Sequence, residues 1–289
     1  GAGSTYCPEL IQGLIRRKEI LPLEELRLSD IDESRLNIVG AFCERVLLEN
    51  GMEPRITRTT DLPRALDGAD FIVAQIRAGR LEARIRDEKI PLGFGLIGQE
   101  TTGIGGFTNA LRTIPQMGKI ADAVERYAPA AWLVNFSNPS GIVTEYLLNH
   151  TPIKAVGLCN LPIGAQERIA KLLHLPMEQV RLETASLNHC GAITAVHVGE
   201  NNVLPQMLTR DVLEQAANQD SWIQNYRPII ELLGAIPNDY LQYFYYRERK
   251  LNELKNAPQT RGEACVEIET RLLSYYADER NRTVPSMLA

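Results

Sequence analysis

The strongest constraint on the fold of this chain is the alternation of two hydrophobic periods along its first half. Glu33 to Asn50 repeats apolar residues at helical spacing and Arg55 to Thr59 is strand-like. Asp61 to Leu66 is a short helix opened by an aspartate cap, and Asp70 to Gln75 is an apolar strand. A helical stretch from Gly106 to Tyr127, a strand from Ala131 to Asn135, a helix from Thr144 to Leu148 and a strand from Ala155 to Leu158 continue the series. Helix following strand, repeatedly, is the pattern of a doubly wound parallel sheet, so the expected class is α/β. Sheets of this kind place their ligands at the carboxyl ends of strands, which directs attention to the residues just after each strand.

At 289 residues and 44% hydrophobic content, the chain can bury one large core or two modest ones. Two lobes are expected, a Rossmann-like dinucleotide-binding lobe over 1–158 and a C-terminal mixed α/β lobe over 159–289. A formal charge of -5 with no long basic block argues against nucleic acid as a partner. No apolar run approaches the ~18 residues that cross a bilayer, and no signal-peptide pattern begins the sequence. Five scattered cysteines form no disulfide framework. A cytoplasmic chain with no membrane partner, acting on a small molecule, is the expectation.

Gly1-Ala2-Gly3-Ser4 precedes a helical pattern from Pro8 to Arg17, which would present backbone N–H groups to a pyrophosphate. A strand over Glu25 to Ile31 follows, and Asp30 stands where an acidic residue accepts ribose hydroxyls. Gly1, Gly3, Ser4 and Asp30 are therefore candidate dinucleotide contacts. Plain turns and helix caps use the same residue types, but the surrounding alternation favours a dinucleotide. The apolar strand that ordinarily leads into such glycines does not precede Gly1, so the lobe is expected to lack its first strand.

Two further stretches carry chemistry. Cys159-Asn160-Leu161-Pro162 follows a strand at once, and Asn188-His189 comes later, so that a thiolate and an imidazole are available to hold one divalent metal ion. The competing reading of Cys159 is a buried core thiol. Asn138 stands in the Asn135-to-Gly141 turn, where an Asx turn is the alternative. Arg77 and Arg84 follow a strand end and are candidates to face a substrate. Cys190 should point away from His189, and with Cys7, Cys43 and Cys265 it reads as structural.

Taken together, Gly1 to Leu10, Gly98-Gln99-Glu100-Thr101-Thr102-Gly103, Asn138-Pro139-Ser140-Gly141, Cys159 to Pro162 and Asn188-His189 resemble glycoside hydrolase family 4, in the right order along nearly the whole chain. The Cys-Asn-x-Pro form of the metal tetrapeptide resembles the 6-phospho-β-glucosidases of that family. The resemblance implies hydrolysis that depends on NAD and on Mn2+ or another divalent metal. Its steps would be oxidation at C3, loss of the C2 proton, elimination of the aglycone, addition of water and re-reduction. It also implies Cys159 and His189 as metal ligands and Tyr240, in Pro237-Asn238-Asp239-Tyr240-Leu241-Gln242-Tyr243, as the base. Arg84, Asn138, Asn160 and Arg261 would surround a phosphorylated sugar, and Glu100 would bind a hydroxyl or position water. A homodimer or homotetramer is implied as well.

Two departures from the family accompany the match. Ile104 stands where many members have Pro, and the chain ends at Ala289 where members continue, so the second lobe is expected to be truncated. An NAD-dependent 2-hydroxyacid dehydrogenase and an inactive dinucleotide-binding remnant are the alternative functions.

Overall fold

A computed structural model describes residues 1–285. The chain divides into two compact units, one running from Gly1 to Gly157 and resuming at Ala257, the other running from Leu158 to Asn256. In chain order the first contains α1 (Cys7–Ile15), β1 (Glu25–Ser29), α2 (Glu33–Glu49), β2 (Arg55–Thr59), α3 (Leu62–Leu66), β3 (Phe71–Ala74), α4 (Arg80–Gly93), α5 (Gly103–Tyr127), β4 (Trp132–Asn135), α6 (Ser140–His150) and β5 (Lys154–Gly157). The second contains α7 (Leu161–Leu172), β6 (Val180–Leu187), β7 (Cys190–Val198), β8 (Asn201–Asn202), α8 (Leu204–Met207), α9 (Arg210–Gln219), α10 (Ser221–Leu233), β9 (Ile236–Pro237), α11 (Gln242–Tyr245) and α12 (Arg247–Asn256). The last helix, α13 (Arg261–Ala277), belongs to the first unit again.

The α/β alternation read from the sequence is present. In the first unit, β1 and β2 pair in parallel with Leu28 opposite Arg58, and β3, β4 and β5 form a separate parallel sheet in that order. The start of the chain lies at the carboxyl ends of both sheets. The Gly1 and Ala2 nitrogens both donate to the Ser29 carbonyl, at 3.0 and 2.8 Å. A Cβ on Gly1 would fall 2.4 Å from the Gln75 carbonyl oxygen just past β3, so only glycine fits there.

The core of this unit explains why α2 forms where it does. Asp32 caps it by accepting from the Arg35 N–H, and Leu36, Val39, Phe42, Cys43, Val46 and Leu47 put one apolar stripe inward. Against that stripe lies α13, whose Tyr276 stacks on Phe42 at 4.4 Å and donates its hydroxyl to the Thr5 carbonyl at 3.0 Å. Each such ring is worth about 1.5–3 kcal/mol buried rather than exposed. This contact corrects the expected lobe of 159–289. The Leu272 and Tyr276 face finds its apolar partner on α2, which returns the chain from Ala257 onward to the first unit. The last four positions of that expected lobe, 286–289, lie outside the described residues.

Around Ile169, Val196, Trp222, Tyr226 and Ile230 the second unit builds its own core. Its sheet is antiparallel, with β7 paired to β6, β8 and β9. Asn188 and His189 form the two-residue tip of the β6–β7 hairpin. Among the described residues no helix is long and apolar enough to cross a membrane.

Candidate functional site

The second unit brings three of its four predicted residues, Cys159, His189 and Tyr240, together. Cys159 lies between β5 and α7, half-buried, and its Sγ is 3.5 Å from Nε2 of His189. A tip residue with φ of +62° carries that imidazole, in the left-handed region that non-glycine residues seldom enter. The Tyr240 ring stacks on the imidazole with centroids 3.9 Å apart and planes 22° apart, and Tyr243 meets Tyr240 edge-on at 5.7 Å. Asn160 is exposed, and its side chain does not cap α7.

The Tyr240 segment is fastened to the same hairpin. Pro237 of β9 pairs with Ala192, and the Asn238 N–H donates to the Gly191 carbonyl at 2.8 Å. Asn238 in turn accepts from the Tyr240 N–H at 2.9 Å and so starts the single turn that carries the phenol. From α10, buried Trp222 donates to the Pro237 carbonyl and buried Tyr226 to the Asp239 carbonyl, each at 2.9 Å. Sequence reasoning missed Trp222 and Tyr226, because both act on backbone atoms and leave no motif.

The 3.5 Å separation fits a shared ion. A thiol sulfur and an imidazole nitrogen this close would both reach one divalent ion set between them. Among the described residues no group of three or more His, Cys, Asp or Glu side chains gathers as a metal cluster. Two protein donors suit an ion whose other positions are filled by substrate or water.

In the first unit, Glu100 is the hub. Arg77 donates to one carboxylate oxygen, Arg84 lies 3.1 Å from the other, and Asn138 also bonds the group. Burial pushes the Glu100 carboxyl up, but the two guanidinium groups outweigh it and hold it below the usual carboxylate range. Glu100 therefore does not cap α5, whose cap position is Thr102. Arg84 also bonds Glu88 at 2.8 Å, and its Nη1 is 3.7 Å from the Cys265 sulfur. Arg261 is exposed on the first turn of α13 and acts electrostatically on Tyr6, as does Arg77. Of the four cysteines read as structural, Cys7 and Cys43 are buried, Cys265 is half-buried and Cys190 is exposed.

Three of the predicted dinucleotide residues, Gly1, Gly3 and Ser4, lie in one turn, and the fourth, Asp30, bonds it from the end of β1. Asp30 accepts from the Gly3 N–H at 2.8 Å and the Asp32 N–H at 2.9 Å. Each carboxylate oxygen keeps a second lone pair for a ribose hydroxyl. A Cβ on Gly3 would lie 3.0 Å from that carboxylate, so the turn closes on Asp30 only without a side chain. Ser4 accepts weakly from the Tyr6 N–H at 3.3 Å, just ahead of α1. A glycine turn at the carboxyl ends of parallel strands, leading into a helix, fits a pyrophosphate.

A family model described as family 4 glycosyl hydrolase matches residues 1–175, and one for the family's C-terminal domain matches 184–287. A probable 6-phospho-beta-glucosidase of Bacillus subtilis strain 168 is 39% identical over 100% of this chain and 67% of its own length. A 6-phospho-alpha-glucosidase of Lacticaseibacillus paracasei is 34% identical over 85% of this chain and 59% of its own. The solved 6-phospho-beta glucosidase of Thermotoga maritima with manganese, NAD+ and glucose-6-phosphate superposes with a TM-score of 0.87 at 32% identity, covering 99% of this chain and 68% of that one. The chain thus spans about two thirds of the length of such relatives.

Proposed function

The chain belongs to glycosyl hydrolase family 4, and from that premise we propose that it hydrolyses 6-phospho-β-glucosides with the help of NAD and a divalent metal ion. The route is oxidation at C3, loss of the C2 proton, elimination of the aglycone, addition of water and re-reduction. What carries the reading is the convergence of Cys159, His189 and Tyr240 from three separate stretches. When bound, NAD supplies a hydride acceptor and the ion, Mn2+ by analogy with the solved relative, a Lewis acid; together these make the C2 hydrogen acidic.

The chain's own residues do the rest. Cys159 Sγ and His189 Nε2 hold the ion, and the Tyr240 phenolate oxygen takes the C2 proton. The stack on His189 keeps the Tyr240 ring from turning away. Glu100, kept ionised by Arg77 and Arg84, accepts from a hydroxyl or a water and has no proton to give. Arg84 and Arg261 recognise the phosphate through their guanidinium forks, and Asn138 and Asn160 donate amide N–H groups to the sugar phosphate. The glycine turn of Gly1, Gly3 and Ser4 takes the NAD pyrophosphate and Asp30 a ribose hydroxyl. A 2-hydroxyacid dehydrogenase would use histidine as its proton shuttle and has no task for a thiol 3.5 Å from that imidazole.

Relatives named for both anomers match this chain, and the β assignment rests on Cys159-Asn160-Leu161-Pro162. The test incubates the protein with NAD, Mn2+ and p-nitrophenyl β-glucoside 6-phosphate in deuterium oxide, beside the α-anomer. Release of p-nitrophenol from the β-anomer, with deuterium at C2 of the sugar product, is expected. Release without C2 deuterium would point to direct displacement and remove Tyr240 from its role. Preference for the α-anomer would reverse the specificity.

A further inference from the structure

Resting on the phosphosugar reading of the first unit, we propose that Glu88 is a positioning residue for both arginines assigned to the substrate phosphate. It holds Arg84 by one carboxylate oxygen and the first turn of α13, on which Arg261 stands, by the other. Glu88 is 5% exposed, and none of the roles assigned above uses it. Its Oε1 accepts from Arg84 Nε at 2.8 Å and its Oε2 from the Gly262 N–H at 2.7 Å. Gly262 is the second residue of α13, where a backbone N–H has no partner inside the helix. The carboxylate supplies that partner across 174 residues of sequence.

The approach is close because position 262 carries no side chain. A Cβ there would lie 3.0 Å from Glu88 Oε2 and 2.9 Å from Ile85 Cγ1. The preceding acid, Asp87, has a different task, pairing with Arg112 and accepting from Thr108 on α5. Consecutive carboxylates on α4 thus fasten two different helices.

Charge balance makes the placement of Arg261 matter. Arg77 and Arg84 share Glu100, and Arg84 also has Glu88, so two guanidinium groups face two carboxylates. Among the described residues no carboxylate is paired with Arg261. A cation at a helix N-terminus is also disfavoured by the helix dipole, so stability alone does not account for it. The positive charge left over for an incoming phosphate is that of Arg261, and its position follows from the turn that Glu88 holds.

The remainder of α13 is anchored elsewhere. Leu272 and Tyr276 are buried, Arg35 reaches Glu269 at 2.7 Å, and Thr260 and Glu263 form a capping box. Loss of the Glu88 carboxylate should therefore free the first turn without detaching the helix.

Glu88→Gln keeps the shape but turns a donor toward one of two N–H groups. Gly262→Ala pushes the same turn from the other side, and serves if the first variant folds poorly. Binding of glucose 6-phosphate, glucose and NAD is measured by titration calorimetry, and backbone exchange at Gly262 by hydrogen–deuterium exchange. Wild type is expected to bind glucose 6-phosphate, and both variants to bind it about tenfold more weakly or worse, with faster exchange at Gly262 and NAD affinity unchanged. Variants that bind glucose 6-phosphate like wild type, or that lose NAD and glucose 6-phosphate affinity by the same factor, overturn the role of Glu88. A wild-type protein that binds no glucose 6-phosphate overturns the phosphosugar reading instead, and the inference with it.

Discussion

The two units hold their functional groups by opposite means. In the second, a soft thiol, an imidazole and a phenol come together on irregular backbone: the residue before a helix, a hairpin tip at positive φ and a single helical turn. In the first, Arg77, Arg84, Glu88 and Glu100 form a network of ion pairs around two buried carboxylates, with α4 contributing two of the four. A sulfur, a ring nitrogen and a phenol oxygen on bent backbone suit a metal ion and proton transfer, where small displacements of one atom matter. Charges paired on and beside α4 hold their geometry and suit an anion that a further cation, Arg261, meets.

Breaking the metal pair should produce the largest change. Cys159→Ser or His189→Ala is expected to abolish Mn2+ binding and lower p-nitrophenol release on the order of 10³-fold, while NAD affinity stays as in wild type. Calorimetric titration of Mn2+ and of NAD on each variant checks this; Mn2+ binding that survives in both would sink the pair. Next in size is Tyr240→Phe, expected to lower kcat by about 10²- to 10⁴-fold, with Mn2+ still bound. Its signature is loss of solvent exchange at C2 in the sugar, and exchange at the wild-type rate would assign the base elsewhere.

The ion-pair network answers to pH instead. Glu100 is held below the usual carboxylate range in the fold, against burial, by Arg77 and Arg84. A depressed native pKa contributes stability above the unfolded value of about 4.3, and that stability is lost as pH falls through the native value. Thermal unfolding midpoints should therefore fall on acidification below about pH 4.3, and less steeply in Glu100→Gln. Equal slopes for the two proteins would mean that the arginines do not hold this carboxylate ionised.

Legibility in the sequence divides along the same line. The alternation of α2, β2, β3, α5 and β4 could be read because each element has a strong period and a cap or turn at its ends. The pair Cys159 and His189 could be read because metal chemistry restricts the residue types. Tyr240 came from the family resemblance alone, since five aromatic residues between 240 and 246 fit plain packing equally well. α4 has no strong apolar period to announce its bounds, because it is mostly polar and buries two of its acids, Asp87 and Glu88, in ion pairs. The return of α13 was hidden for a different reason. Leu272 and Tyr276 announce a buried face, but nothing local says that the face belongs to Phe42 on α2.

The smallest expected effect compares the units most directly, because each has a fully buried tyrosine that donates to a loop carbonyl. Tyr276 bonds the Thr5 carbonyl behind the glycine turn, and Tyr226 bonds the Asp239 carbonyl next to Tyr240. Burial raises both phenols above their ordinary value, so both remain donors through the neutral range. Replacing either by Phe deletes one hydroxyl and one buried hydrogen bond to a carbonyl, at a cost of about 1–2 kcal/mol in stability. The functional consequences should separate. Tyr226→Phe loosens the turn that aims the phenol, lowering kcat a few-fold with NAD affinity intact, whereas Tyr276→Phe weakens NAD binding and spares the C2 exchange rate. Denaturant unfolding, NAD titration and the deuterium exchange assay on both variants check this. If the two substitutions lower stability alike and touch neither NAD affinity nor exchange, the hydroxyls serve the cores only, and the contrast between the units ends at their donor atoms.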